Sequence, residues 1–313
     1  SYLNISTSEN IWEKFIAVVF EVINESENLF SYGNQERLLA QFNGEKLFWS
    51  ETIRKGMIKT LLIKAAYPDD VSTQTYLDKV IEDILEYVKN EKQWIYISRF
   101  WKELCEISPV SVLKRLEKEL EMDTGLIKLF QNQSSDFIFG RNSYIDILWG
   151  IEQFLSQKTY FWRAFRWLLN IDSRKFEYKS NSPKDIFSKI FCTWANFSAI
   201  ETVDEKKTAA EISFSINNSN TWEYLYCAID GKGRSIIGEL SSPKYREHCE
   251  TRSTTIQEMR QVQHCYLELL TRHIDFSVER WKKMIELSDD LSSELRAKLF
   301  EQLLYELSQM SRL

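Results

Sequence analysis

From Ser143 to Asn170 the chain reads SYIDILWGIEQFLSQKTYFWRAFRWLLN. Tyr144, Ile147, Leu148, Ile151, Phe154 and Leu155 recur at spacings of three and four, which puts them on one stripe of an α-helix. After the polar break Ser156-Gln157-Lys158, a second stripe is formed by Phe161, Phe165, Leu168 and Leu169. Trp149, Trp162 and Trp167 add aromatic bulk to both. The pattern predicts a helical hairpin buried on more than one side, with Trp149 inside it.

The same period recurs along the chain. Ile11, Trp12, Phe15, Ile16, Val19, Phe20 and Ile23 predict a first helix, with a capping box from Ser6 to Glu9. A short helix is expected over Gln35–Phe42, and a helix from Ser50 to about Tyr67, where Pro68 ends it. Further helices are expected over Thr73–Lys89 and Trp94–Ile107. Ser108-Pro109 and Ser182-Pro183 are start signals, because serine caps and proline is tolerated in the first helical turn. Gly125 to Phe130 reads as a short turn. Val203–Ile216 reads as a helix, and Ser219 or Asn220 is expected to cap another over Thr221–Ile229. The last helices are expected over Ser253–Ile274, Ser277–Leu287 and Leu291–Met310, with Asp289 and Asp290 favouring the start of the final one. Helix pairs recur about every forty residues without a strict consensus.

These elements imply an all-α protein, an irregular right-handed α-solenoid of helical hairpins of HEAT or TPR type. We divide it into hairpins over 1–90, central repeats over 91–171, and C-terminal repeats over 172–313 that carry a long loop, 230–251, all as one continuous solenoid. Composition agrees: only 9 glycines and 4 prolines in 313 residues leave little for tight-turned sheets or glycine-rich nucleotide loops. The longest apolar run near the start, Phe15–Phe20, is too short to span a bilayer. Five scattered cysteines, an odd number with no CxxC pair, read as reduced thiols of a cytoplasmic protein.

Charge narrows the partners. With 40 basic and 46 acidic residues, net −6, the chain is no globally basic nucleic-acid binder. One stretch departs from that balance. Arg163, Arg166, Arg174, Lys175, Lys179, Lys184 and Lys189 face only three acidic residues, with Phe176 and Tyr178 interleaved. Such a face could follow a phosphate backbone, although a solvated helix face explains the same residues.

No catalytic constellation is evident. His248-Cys249 and His264-Cys265 are adjacent pairs, whereas tetrahedral zinc takes close pairs two to four residues apart; adjacent residues on a helix point about 100° apart, so His264 and Cys265 do not readily share a metal. Gly231-Lys232-Gly233-Arg234-Ser235 lacks the spacing of a phosphate loop. Glu117, Glu119, Glu121 and Asp123 read as a solvated helix face. We therefore expect no enzyme activity, no cofactor and no metal. The partner-binding candidates are Lys232, Arg234, Lys244, Tyr245 and Arg246, in the longest stretch without helical periodicity, Asp230–Thr251.

Several segments carry a resemblance: Ile53 to Leu61, Leu104 to Leu120 (LCEISPVSVLKRLEKEL), Leu148 to Glu152, Ser182 to Phe187, Thr221 to Ile229 and Pro243 to Arg246. In these the chain resembles the helical sensor regions of bacterial antiphage STAND ATPases and related multidomain defence proteins. The resemblance implies a sensor or scaffold segment of a larger protein, recognising a phage component or another protein. It also implies that effector and ATPase modules lie elsewhere in the parent chain. The non-Met start agrees with an excised segment. Nucleic-acid binding through the 163–189 face, or a structural autoinhibitory role, are the alternative expectations.

Overall fold

The computed structural model describes residues 9–24, 49–132, 142–178, 180–230, 238–274, 277–288 and 293–310. The expected helix at Gln35–Phe42, the Ser6 cap, and the residues Lys179, Lys232, Arg234, Asp289 and Asp290 lie outside the described residues. The protein is all-α. Among the described residues the only extended pairing is a two-residue antiparallel ladder, β1 (Ala195–Asn196) with β2 (Arg252–Ser253).

Two compact units are present. The first comprises 1–154 with 176–179 and 242–247; the second comprises 155–175, 180–241 and 248–313. The first contains α1 (Glu9–Ile23), α2 (Glu51–Ala66), α3 (Val71–Glu86), α4 (Glu91–Ile97), α5 (Trp101–Ile107), α6 (Pro109–Met122), α7 (Gly125–Asn132) and nearly all of α8 (Ser143–Leu155). The second contains α9 (Phe161–Ser173), α10 (Pro183–Ile190), α11 (Val203–Ile216), α12 (Asn218–Asp230), α13 (Ile256–Arg272), α14 (Val278–Leu287) and α15 (Ser293–Met310).

Local chemistry sets the helix starts. The Ser50 hydroxyl accepts from the Ile53 amide at 3.3 Å, and the Asp70 carboxylate accepts from Thr73 at 3.0 Å. Asn90 and Gln93, Thr202 and Glu205, and Thr255 and Glu258 form reciprocal capping boxes at α4, α11 and α13. Pro109 and Pro183 stand in the first turns of α6 and α10, as their sequence predicts.

Three expectations are corrected. Residues 94–107 are not one helix: a 3-10 turn, Ser98–Phe100, separates α4 from α5. Gly125 opens a helix rather than a turn, because a Cβ there would stand 2.5 Å from the Asn90 carbonyl carbon, and only glycine lets α7 approach α4 so closely. Finally, α12 starts at Asn218, three residues before the expected start at Thr221; the Asn217 side-chain oxygen accepts from the Asn220 amide at 3.3 Å.

The first unit packs each helix on a later neighbour: α2 on α5, α3 on α6, α4 on α7. Its core holds Trp94 and Trp101, both fully buried with ring centroids 5.2 Å apart. Gly150 of α8 seats against Trp101. An added Cβ would lie 2.5 Å from Trp101 Cδ1 and 2.7 Å from Cys105 Sγ. In the second unit α11, α12 and α13 pack on one another, and α9 packs on α10 and α11. Phe165, Phe187 and Phe191 form an aromatic cluster there, extended by Tyr224 and Tyr266. The expectation for Trp149 is also corrected: it is only half-buried, its ring under the Lys102 ammonium at 4.4 Å, whereas Trp167 is 1% exposed.

Candidate functional site

Asp230, the first residue of the stretch that the sequence reads as non-helical, is the last residue of α12. Of the candidate residues in that stretch, Lys244, Tyr245 and Arg246 are described. They belong to the first unit with residues 242–247, while the flanking residues belong to the second. In the second unit Lys189 Nζ donates to the Glu239 carbonyl at 3.0 Å and the Cys249 amide donates to the Ser156 carbonyl at 2.7 Å.

Within the first unit the loop is tied down by backbone and guanidinium together. The Tyr245 amide donates to the carboxylate of Glu106, a residue only 4% exposed. Arg246 donates to the carbonyls of Glu106 and Ile107, the latter at 3.1 Å, and to Gln74 Oε1 at 2.9 Å. These carbonyls are the last of α5, where a helix carries partial negative charge and lacks partners of its own, so Arg246 acts as a distant C-terminal cap. Gln74 completes the network. Its amide donates to the Ile107 carbonyl at 3.0 Å and to Asp78 at 2.8 Å, and Asp78 accepts from the Ser108 hydroxyl at 2.6 Å.

The clamp leaves its neighbours exposed. Tyr245 is 36% exposed and meets Tyr67 edge to face with ring centroids 6.3 Å apart, and Tyr67 is itself 59% exposed. The Lys244 ammonium stands 5.0 Å from the Tyr245 ring centroid. A ring and a cation are thus presented on a loop whose backbone is already fixed, beside the Tyr67 ring at the end of α2. Tyr67 was invisible as a site residue in the sequence, where it only marks the end of the helix before Pro68. No local pattern signals that a residue so distant in the chain will meet Tyr245.

The basic stretch offers less. Arg166, Lys175 and Lys184 are exposed, and Lys189 is engaged by the Glu239 carbonyl. Its interleaved aromatics are occupied within the first unit: Phe176 stacks on Phe130 at 6.3 Å and Tyr178 packs on Tyr144 at 5.6 Å. Their faces are turned to the protein, away from the role of base platform.

The chemically reactive side chains sit in structural environments. Burial pushes the thiols of Cys105, Cys192, Cys227 and Cys249 up, and that of Cys265 up to about 11, so none is held as the nucleophilic thiolate. His273 stacks on Phe214 at 4.0 Å, and burial holds its imidazolium form down. Among the described residues no group of three His, Cys, Asp or Glu side chains is placed to hold a metal ion. Asp172 is buried and accepts from Asn217 at 3.1 Å, Asn220 at 2.9 Å and the Tyr224 hydroxyl at 2.7 Å, which locks the α11–α12 junction to α9.

Lys206 is the most perturbed amine. It is 1% exposed, donates to the Cys192 carbonyl at 2.7 Å, and burial lowers its pKa from 10.5 to about 8. Below pH 8 it is charged both folded and unfolded, so the cost of burying the charge is constant there. Above that the folded state releases its proton before the unfolded state does, and stability from this group rises with pH until about 10.5. The gain is on the order of 3 kcal/mol. Denaturant melts of wild type and Lys206→Met across this range should show the stability difference moving in favour of wild type as pH rises. A difference independent of pH would show that the ammonium stays charged.

Among the described residues no helix is long and apolar enough to cross a membrane. Scans of family models, curated proteins and solved structures find no match to this chain.

Proposed function

We propose that the chain is a helical protein-binding module, a sensor or scaffold segment that recognises a protein partner and passes the event to neighbouring modules of a larger bacterial defence protein. The observation that carries this reading is the clamped loop 242–247. Arg246 and the Tyr245 amide fix the backbone on α5, and Tyr67, Tyr245 and Lys244 remain exposed beside it. Tyrosine is enriched where interfaces concentrate their binding energy, and a pre-ordered loop loses little entropy on docking. The sequence resemblance supports a phage protein, or a module of the same parent chain, as the partner in a cytoplasmic setting. The module acts by binding alone, without a cofactor or metal.

The finer architecture we propose is an irregular right-handed solenoid of HEAT- or TPR-like hairpins. If α4 and α5 are counted as one helix broken at Ser98–Phe100, α2, α3 and that bent helix each pack on the next helix but one. Such spacing supports stacked hairpins, and stacking of this kind leaves an extended surface for a partner.

The test uses the parent protein in its cells. A photo-crosslinking amino acid at position 245 should yield a discrete protein adduct, and the same group at Tyr87, which is 60% exposed, should not. Tyr67→Ala/Tyr245→Ala should abolish the response to the trigger with helicity and melting temperature retained. Identical adducts from both positions, or a normal response in the folded double variant, would refute the reading. If the captured partner were nucleic acid and binding weakened steeply with salt, the alternative through residues 163–189 would replace it.

A further inference from the structure

Two interhelical turns of the first unit, 87–90 between α3 and α4 and 123–124 between α6 and α7, lie side by side and enclose a cleft of about 650 Å³. Its base is backbone against backbone, where Gly125 meets Asn90. Its rim carries Lys89, Lys92 and Lys128, all exposed. None of these three ammonium groups has an ion-pair or hydrogen-bond partner among the described residues. Lys55, Lys79 and Lys114 of the same unit each sit on a carboxylate, at 2.5, 2.7 and 2.7 Å, whereas Lys59 and Lys118 are exposed without such a partner among the described residues but do not line this cleft. Two acidic groups also line the cleft. Glu91 is held by the Asn132 amide at 2.8 and 2.9 Å, and Asp123 is exposed in the left-handed conformation at φ 51.

We propose that this cleft binds a small polyphosphate-type anion through Lys89, Lys92 and Lys128. Three like charges around one concavity repel one another, and a multiply charged anion between them turns that repulsion into attraction. Lysine suits this role as a compact, strongly charged phosphate partner. The helix starts are largely occupied: Leu126, Ile127 and Lys128 of α7 donate to Glu119 and Thr124, and Gln93 of α4 donates to Asn90 within its capping box. The volume is that of an ordinary small-molecule site, large enough for a phosphate chain with or without a nucleoside. This site shares no residue with the tyrosine surface, so the two readings stand or fall separately.

The experiment titrates the intact chain with inorganic tripolyphosphate and, separately, with ATP, both without metal. Saturable one-site binding is expected to either or both, weakening between about 50 and 200 mM salt. Tighter binding of ATP would show that a nucleoside occupies the cleft; equal affinities would assign it to the phosphate chain alone. Lys89→Ala/Lys92→Ala/Lys128→Ala should lower the affinity at least about tenfold. Lys55→Ala/Lys79→Ala, which removes paired lysines of the same unit, should leave it unchanged. Asp123→Asn should raise it, since asparagine accepts the left-handed backbone and removes an opposing charge. Asp123→Asn needs no lysine removed, so it remains decisive if the triple variant folds poorly. No saturable binding of either anion, undiminished affinity in the folded triple variant, or no gain from Asp123→Asn would overturn the proposal.

Discussion

Replacing Glu119 with alanine should cost about 3–5 kcal/mol of stability, the usual effect of removing one partner from a buried ion pair. Glu119 is 1% exposed and Arg115 9%, and their side chains pair one turn apart on α6. The carboxylate also accepts from the Thr124 hydroxyl and, at 3.3 Å, from the Leu126 amide, which joins the end of α6 to the start of α7. Arg115 reaches the Val88 carbonyl and lies over the Trp94 ring at 5.7 Å. Without Glu119 a buried guanidinium would lose its counter-charge and α7 would lose its anchor. Denaturant unfolding gives the measurement. The companion variant Arg115→Met/Glu119→Leu should recover most of the loss, because two apolar groups leave no charge to compensate. A loss below about 1 kcal/mol for Glu119→Ala would mean that water reaches the pair.

The second large effect separates two tryptophans that the sequence treats alike. Trp167→Ala should cost about 3–5 kcal/mol, the usual effect of truncating a fully buried large aromatic. Trp149→Ala should cost only about 1–2 kcal/mol, the sum of partial burial and a surface cation–π contact with Lys102. Thermal melts of the two variants would decide. Equal shifts would mean that Trp149 is buried after all.

Periodicity recovered most of the helices because each is built on a stripe that repeats locally, and Ser50, Pro109 and Ser182 mark starts that depend only on neighbouring residues. Its errors fall where a distant residue decides. Gly125 reads as a breaker until Asn90 is placed against it, and Gly150 is an unremarked gap in an aromatic run until Trp101 fills it. Charged side chains mislead in the same way. Glu119 reads as part of a solvated face, yet it is buried, as are Arg54 and Lys206. Arg54 donates to the Val22 carbonyl at 2.7 Å and the Trp49 carbonyl at 3.2 Å, contacts with no signature in the linear pattern. At the candidate site, sequence singled out Lys244, Tyr245 and Arg246 by the absence of helical periodicity. It missed Tyr67, and it could not tell that Arg246 is a clamp.

That clamp has a consequence for the order in which the protein can be made. Residues 242–247 complete the first unit, but the ribosome delivers them only after α9 to α12 of the second unit. Until Arg246 emerges, the Glu106 and Ile107 carbonyls at the end of α5 lack the guanidinium that finally covers them. The first unit is therefore closed by a short strap encoded far downstream of the rest of its sequence.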